Sequence, residues 1–309
     1  MISRTEIQEA GRRIATHVRR TPVIALEDRV FGLDAKIFFK LEQLQHTGSF
    51  KPRGAFNCML SSDVPAAGVI AASGGNHGAA VAYAAQKLGH HAEIFVPEIT
   101  PPTKLARLRQ YGANINIIGK NYAEALAASK ERAAQTGALA VHAYDDRPVL
   151  AGQGTLGMEL EEQVRGLDSL LVAVGGGGLI GGVAAWYQQR VRVISVEPER
   201  APTLHHALEA GHVVDVEVGG VAADSLGARR AGELMFPIAQ KFVEQALLVS
   251  DDQIIEAQKA LWQTLRLIVE PGGATALAAV LSGAYKPRTG ERVGVVLCGA
   301  NTDLAKLPA

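Results

Sequence analysis

Gly48-Ser49-Phe50-Lys51-Pro52-Arg53-Gly54 sets one lysine between an aromatic ring and a proline, where the pattern predicts a turn from a strand into a helix. Lysine is strongly hydrated, and it becomes a nucleophile only where burial or neighbouring charges lower its pKa. Taken alone, a lysine is most often a solvated surface charge. A buried lysine in this setting indicates covalent capture of an aldehyde cofactor, and the rest of the sequence has to decide between the two interpretations.

The composition favours a protein that acts on small metabolites. Thirty-one basic residues balance 31 acidic ones among the 309 residues, so no net field attracts nucleic acid or an anionic membrane surface. Two cysteines, Cys58 and Cys298, are too few for a disulfide framework. No apolar run is long enough to span a bilayer. We therefore expect a soluble, cytoplasmic protein with neither nucleic acid nor membrane as a partner.

The alternation of β-rich and alanine-rich segments predicts an α/β fold, with parallel sheets covered by helices on both faces. The predicted helices span residues 3–19, 76–88, 103–111 and 122–136, and the first has capping-box spacing at its start. The predicted strands span residues 35–40, 69–72, 93–96, 114–118, 139–143, 170–174, 191–196, 247–249 and 293–297. We expect a small domain at residues 61–146 and a large one from residues 1–60 and 147–309.

Ser73-Gly74-Gly75-Asn76-His77-Gly78 forms a glycine-rich loop between a predicted strand and a predicted helix. Backbone amides and the helix dipole converge at such a turn, so the loop could bind a carboxylate. A plain turn is the alternative. The side-chain donors of Asn76 and His77 favour a binding site.

A second loop, from Gly175 to Gly182, follows an apolar strand and suits a phosphate. Gly176, Gly178 and Gly181 also have the dinucleotide-binding spacing, and Glu197 ends the next strand about twenty residues later. A nicotinamide-dependent oxidoreductase is therefore an alternative. Four successive glycines, however, leave few side chains to shape a ribose pocket.

Polar residues also follow the last predicted strand, where ligands bind in open α/β sheets. Cys298 could hydrogen-bond a heterocycle nitrogen, or it could be a small buried core residue. Glu270 begins the loop Glu270-Pro271-Gly272-Gly273, and a solvated turn carboxylate is its alternative interpretation.

In this order, the motifs GSFKPRGA, SGGNHG, GGGGLIGG, VEP, IVEPGGA and VLCGANTD resemble those of fold-type II pyridoxal-phosphate enzymes, related to the tryptophan synthase β-chain. The closest resemblance is to serine/threonine dehydratases and serine racemases. It implies a large and a small mobile domain, a homodimer, and pyridoxal 5'-phosphate as the cofactor. It implies Lys51 as the catalytic, cofactor-bound lysine, and Ser73, Gly75, Asn76 and His77 as the substrate-carboxylate site. The implied cofactor site comprises Phe50, Lys51, Asn76, Gly175, Gly176, Gly177, Gly178, Glu270 and Cys298.

The resemblance implies β-elimination of L-threonine or L-serine to a 2-oxo acid and ammonia, with Lys51 removing the α-proton. Racemases of this type carry a serine at the position of Gly74, and a glycine cannot transfer a proton, so elimination is favoured. Several relatives bind a divalent cation through residues matching Glu197, the Ala201 carbonyl and a carboxylate two residues later. In this chain the residue at that position is Thr203, which has no carboxylate, so we predict no metal requirement. If a cation did bind, Glu197 and Ala201 would be its candidate ligands.

Four alternatives remain open from the sequence. Within the family, the chain could be a serine racemase or a dehydratase of 3-hydroxyaspartate or phenylserine. Outside it, the chain could be a dinucleotide-dependent oxidoreductase, which leaves Lys51 unexplained, or a metabolite-binding protein without catalysis. Residues 220–222, 225 and 271–274 are expected to select the substrate side chain. Feedback-regulated relatives carry a further C-terminal regulatory domain, and this sequence ends at Ala309, a few residues after the last motif. We therefore expect a catabolic enzyme.

Overall fold

The computed structural model describes residues 1–27 and 29–303. Its helices are α1 (Arg4–Ile14), α2 (Pro52–Leu60), α3 (Asn76–Leu88), α4 (Pro102–Gln110), α5 (Tyr122–Thr136), α6 (Arg147–Gln163), α7 (Gly178–Tyr187), α8 (Thr203–Ala210), α9 (Ala223–Leu226), α10 (Phe236–Phe242), α11 (Asp251–Leu265) and α12 (Pro271–Leu281). Its strands are β1 (Val23–Ala25), β2 (Lys36–Leu41), β3 (Val69–Ala72), β4 (Ala92–Val96), β5 (Asn114–Ile117), β6 (Leu139–Ala140), β7 (Ser169–Ala173), β8 (Arg192–Pro198), β9 (Val243–Val249) and β10 (Arg292–Leu297).

The strands form two sheets, which confirms the predicted α/β class. One sheet has six strands in the order β1-β2-β10-β7-β8-β9, and the other has four in the order β5-β4-β3-β6. The paired strands of both sheets run parallel, except that β1 is antiparallel to β2. The short edge strand β1 was not predicted from the sequence.

Local sequence explains where several elements begin and end. All residues of β3 and β7 are buried, as expected for parallel strands covered on both faces. Helices α3 and α5 match their predicted bounds, and each ends at a glycine with positive φ. Ser3 and Glu6 form the predicted capping box, but α1 ends at Ile14, five residues before the predicted end.

Strand β6 is shorter than predicted, and this has a consequence for the site. It ends at Ala140 rather than at residue 143, and after the Val141 amide, which donates to Ile70 of β3, residues 142–144 leave the sheet. The Ala143 carbonyl is thereby free to accept a hydrogen bond from outside the four-stranded sheet.

The buried apolar residues form a large cluster around the six-stranded sheet and a second one around the four-stranded sheet. The second cluster includes Phe56 and Met59 of α2, packed with residues of α3 and β4. Helix α2 therefore fixes the preceding segment, which contains Lys51, next to the four-stranded sheet. No helix within the described residues is long and apolar enough to cross a membrane.

Candidate active site

Lys51 is not a solvated surface lysine. It lies immediately before α2, and its Nζ donates a hydrogen bond to the Ala143 carbonyl at 2.8 Å. Burial lowers the pKa of Lys51 to about 8, and the nearby Cys298 and Glu270 partly oppose that shift. The amine is therefore a nucleophile and base at a pH well below that of an ordinary lysine.

The backbone around Lys51 is attached to the end of β10. Phe50 donates its amide to the Cys298 carbonyl at 3.1 Å, and Ser49 forms an isolated bridge with Gly299. Gly48 has a φ of +72°, and a Cβ atom there would lie 2.5 Å from Oδ1 of Asn301. Only glycine fits this left-handed and crowded position without displacing a neighbour.

The first glycine-rich loop joins β3 to α3. The Ser73 hydroxyl accepts a hydrogen bond from the Gly75 amide at 3.2 Å. A Cβ atom at Gly78 would lie 1.9 Å from the Ser73 carbonyl oxygen, so glycine is required for the loop to fold back on the helix. The first-turn amides of the 13-residue helix α3 follow directly, as an anion site needs.

His77 is buried, and its ring is engaged within the fold. Its Nε2 lies 2.9 Å from the Val141 carbonyl, which can only accept, so Nε2 carries the proton. Burial lowers the pKa of His77 to about 3, so the imidazole is neutral. Its ring is thus not free to bind an anion, and only its backbone amide could serve the loop.

Glu270 is buried and belongs to a polar group beside Lys51, which excludes the solvated-turn interpretation. It is 5% exposed, and its Oε1 accepts a hydrogen bond from Asn76 Nδ2 at 2.6 Å. Asn301 in turn donates to Asn76 Oδ1 and to the Thr47 carbonyl. Burial raises the pKa of Glu270 to about 7, and the hydrogen bond from Asn76 opposes the rise.

The second glycine-rich loop joins β7 to α7, and Tyr144 packs against it. A Cβ atom at Gly176 would lie 2.4 Å from the Tyr144 ring, and one at Gly178 would lie 2.8 Å from the Tyr144 Cβ. Gly177 has a φ of +89°, so it also favours glycine. The loop therefore presents backbone amides at the start of a ten-residue helix.

Sequence reasoning missed Ala143 and Tyr144. Both lie just after the carboxyl end of β6, and in parallel sheets that edge is where ligands bind. The Tyr144 hydroxyl donates to the Arg230 carbonyl at 3.2 Å. An aromatic residue directly after a predicted strand was the signal that could have identified this position.

Cys298 lies at the end of β10, buried beside Lys51. Its Sγ donates to the Gly272 carbonyl at 3.4 Å, and burial raises the pKa of the thiol well above its usual range. The side chain is also part of the large apolar cluster. Cys298 is therefore a core residue with a neutral thiol near Lys51, and its contact with a heterocycle nitrogen stays a prediction.

Glu197 does not have the surroundings of a ribose ligand. Its two carboxylate oxygens accept the amides of Leu204 and His205 at 2.7 Å each, at the start of α8. Glu197 is fully buried. This removes the acidic residue that the dinucleotide alternative requires.

Of the candidate metal ligands, Glu197 is already engaged by the two backbone amides. Thr203 has no carboxylate, and its hydroxyl donates to the Ala228 carbonyl at 2.6 Å. Within residues 1–27 and 29–303, no group of three or more His, Cys, Asp or Glu side chains could hold a metal ion.

Comparison with known proteins identifies similar sequences and structures over nearly the whole chain. The family model described as "Pyridoxal-phosphate dependent enzyme" matches residues 14–299. An L-threonine ammonia-lyase of Geobacter sulfurreducens is 41% identical over 98% of this chain and 77% of that protein. A serine racemase of Arabidopsis thaliana is 37% identical over 97% of this chain and 93% of that protein. The solved structure of maize serine racemase has a TM-score of 0.93 at 34% identity, over 99% of this chain and 95% of that chain.

Proposed function

Since this chain belongs to the family of pyridoxal-phosphate-dependent enzymes, we propose that it converts L-threonine and L-serine to the corresponding 2-oxo acid and ammonia. The cofactor is pyridoxal 5'-phosphate. When bound, pyridoxal phosphate withdraws electrons from the bond that breaks at the α-carbon of the amino acid. The observation that carries the proposal is the Lys51 amine, whose pKa burial lowers to about 8 and which lies near Cys298 and Glu270.

The residues around Lys51 fit the three parts of this cofactor. The backbone amides of residues 175–178 suit the phosphate, because Leu226, Tyr144 and Met235 fill the space that side chains at these positions would need. Lys51 would bind the aldehyde, Asn76 would donate to the ring hydroxyl, and Phe50 would pack on the ring. Cys298 would face the ring nitrogen as a neutral thiol, which does not stabilise a protonated pyridine as a carboxylate would.

Lys51 then has two functions. Its Nζ would hold the cofactor in the resting enzyme, and as a free neutral amine it would take the α-proton of the bound amino acid. A pKa of about 8 keeps a useful fraction of the amine neutral near physiological pH. The Ala143 carbonyl, 2.8 Å from Nζ, holds the amine in place.

The Ser73–Gly75 loop would bind the carboxylate of the substrate. The loop amides, the Ser73 hydroxyl and the backbone amide of His77 are its candidate donors, and Asn76 lies at the start of α3. Binding there would fix the α-carbon relative to Lys51, which contributes to catalysis by orientation.

Gly74 favours elimination over racemisation. Racemisation by two bases needs a proton donor on the face opposite the lysine, and a glycine supplies none. A Cβ atom at Gly74 would lie 2.9 Å from Cγ2 of Thr100, so a larger residue there would also crowd that side chain.

Two expectations about the assembly remain proposals. We propose that residues 61–146, which contain β3 to β6, form a small substrate-binding domain beside a large one. We also propose a homodimer, on the basis of the family resemblance.

The test is 2-oxo acid formation by the protein reconstituted with pyridoxal phosphate. L-Threonine, L-serine, D-serine, threo-3-hydroxyaspartate and phenylserine are assayed in parallel, and the chirality of recovered serine is measured. We expect rapid turnover of L-threonine or L-serine and no accumulation of D-serine. If neither L-threonine nor L-serine is turned over but another hydroxy amino acid is, the proposed substrates are wrong and the proposed mechanism stands.

Variants separate the reaction from adventitious activity. Lys51→Ala should abolish both turnover and the visible absorption of the bound cofactor. Lys36→Ala, which removes an exposed lysine at the start of β2, is the matched control and should leave both unchanged. Normal turnover by Lys51→Ala would contradict the proposal.

A further inference from the structure

The short helix α9 approaches both glycine-rich loops of the proposed site and the start of α12. A Cβ atom at Gly175 would lie 3.0 Å from the Cα of Leu226, and one at Gly272 would lie 2.3 Å from the Ser225 hydroxyl. The Asp224 carbonyl oxygen lies 3.9 Å from the Cβ position of Gly75. Three consecutive residues of α9 thus each approach a different segment of the site.

Helix α4 reaches the same place from the four-stranded sheet. Lys104 and Arg107 are three residues apart and so share a face of α4. Lys104 forms an ion pair with Asp224 of α9, and Arg107 donates to the Thr47 carbonyl. These contacts join α4 to segments that are 120 and 60 residues distant in the chain.

Segments next to both helices approach the proposed carboxylate loop. Thr100, just before α4, has its Cγ2 2.9 Å from the Cβ position of Gly74. Asp224 of α9 approaches the loop at the adjacent residue, Gly75. The Lys104–Asp224 ion pair joins the two flanking segments directly.

We propose that Lys104 and Asp224 are positioning residues, whose ion pair holds α4 against α9 and keeps the Ser73–Gly75 loop in its substrate-binding geometry. The inference rests on the proposed function in that it takes this loop as the carboxylate site. Neither side chain is assigned a chemical step. When the ion pair breaks, α4 is no longer held against α9, and the Ser73–Gly75 loop loses its substrate-binding geometry.

The exposure of the pair determines the size of the effect. The Asp224 side chain is 68% exposed and that of Lys104 is 28% exposed. An exposed ion pair is weak and is screened by salt. The binding-competent fraction should therefore fall by a small factor when the pair is removed, and the apparent affinity for the amino acid falls by the same factor.

The first experiment compares Lys104→Ala, Asp224→Asn and the charge swap Lys104→Asp/Asp224→Lys in the holoenzyme. Each single variant should raise KM for L-threonine by about twofold to fivefold, with kcat unchanged. In the native enzyme KM should rise with added NaCl, and in the single variants it should not. The swap should restore both KM and its salt dependence.

The second experiment measures hydrogen exchange of the backbone amides without any amino acid present. Exchange at residues 73–78 and 102–110 should be faster in both single variants and should return to the native rate in the swap. Arg132→Ala is the matched control, because the Arg132–Glu93 ion pair joins α5 to β4 of the four-stranded sheet and does not involve α4 or α9. It should leave exchange at residues 73–78 unchanged.

The outcomes separate this inference from the proposed reaction. Native exchange in both single variants, or exchange that stays fast in the swap, overturns the role of the ion pair. Altered exchange in a protein that turns over no hydroxy amino acid supports the ion pair and contradicts the proposed function.

Discussion

The environment of Lys51 determines the pH at which its amine can react. Burial lowers its pKa to about 8, so about one amine in ten is neutral at pH 7. The rate at which the apoenzyme binds pyridoxal phosphate, followed by absorbance, should therefore rise with pH, with a midpoint near pH 8, and level off above about pH 9. A midpoint near pH 10.5, the value of an exposed lysine, would contradict the buried amine.

A variant of the neighbouring Glu270 tests what sets the midpoint of the pH dependence of cofactor binding. The negative charge of Glu270 raises the pKa of Lys51 and so opposes the effect of burial. Removing that charge in Glu270→Gln should move the midpoint to lower pH. An unchanged midpoint would mean that Glu270 is already neutral there and that its charge does not oppose the effect of burial.

At the scale of the element, sequence predicted what depends on local patterns. The bounds of α3 and α5 follow from a continuous run of helix-forming residues that ends at a C-terminal glycine. The buried strand β3 follows from its apolar residues. Strand β1 was missed because three residues carry little periodicity, and pairing with β2 stabilises it.

For the candidate site too, sequence predicted the continuous motifs but not the contacts between distant segments. Lys51 and both glycine-rich loops are continuous motifs, so sequence could indicate them. The contact from Lys51 to Ala143 spans 92 residues, and the ion pair from Lys104 to Asp224 spans 120. No spacing rule predicts such pairs, because they depend on how the two sheets are placed.

The contact between α6 and α7 depends on glycine at one position. A Cβ atom at Gly182 would lie 2.4 Å from the Leu150 carbonyl oxygen and 2.5 Å from the Gly154 amide nitrogen. Backbone atoms cannot move aside as a side chain can. Gly182→Ala should therefore lower the free energy of unfolding by about 1–3 kcal/mol, measured by chemical denaturation, despite the better helix propensity of alanine.

A second glycine in the same contact is the control. A Cβ atom at Gly157 would lie 3.3 Å from Cδ1 of Trp186, which is a side-chain atom. Gly157→Ala should change the free energy of unfolding by less than about 1 kcal/mol. Equal losses in the two variants would refute the backbone contact as the cause.

At the scale of the whole molecule, a buried group of charges joins the segment after Lys51 to the six-stranded sheet. Arg53 of α2 makes two hydrogen bonds of 2.8 Å with Glu42, which follows β2, and one of 3.0 Å with Glu159 of α6. Lys40 of β2 also pairs with Glu159. Arg53 is 1% exposed and Glu42 is fully buried, so neither charge can be solvated if its partner is lost.

Arg53→Met should therefore lower the free energy of unfolding by about 3–5 kcal/mol at neutral pH, because it leaves the buried Glu42 carboxylate without its ion-pair partner and, among the described residues, with only the Thr21 hydroxyl as a hydrogen-bond donor. Arg53 holds the pKa of Glu42 below its usual range, and in the variant burial should raise that pKa instead. An acid with a raised pKa in the folded state destabilises the fold as pH rises through that range. The loss of unfolding free energy in Arg53→Met should thus be smaller at about pH 5 than at about pH 8.

The control is Arg20→Ala, which removes the exposed Arg20–Glu162 pair. It should lower the free energy of unfolding by less than about 1 kcal/mol at both pH values. A deficit in Arg53→Met that is independent of pH would mean that lost packing, and not the unpaired carboxylate, determines the stability of this junction.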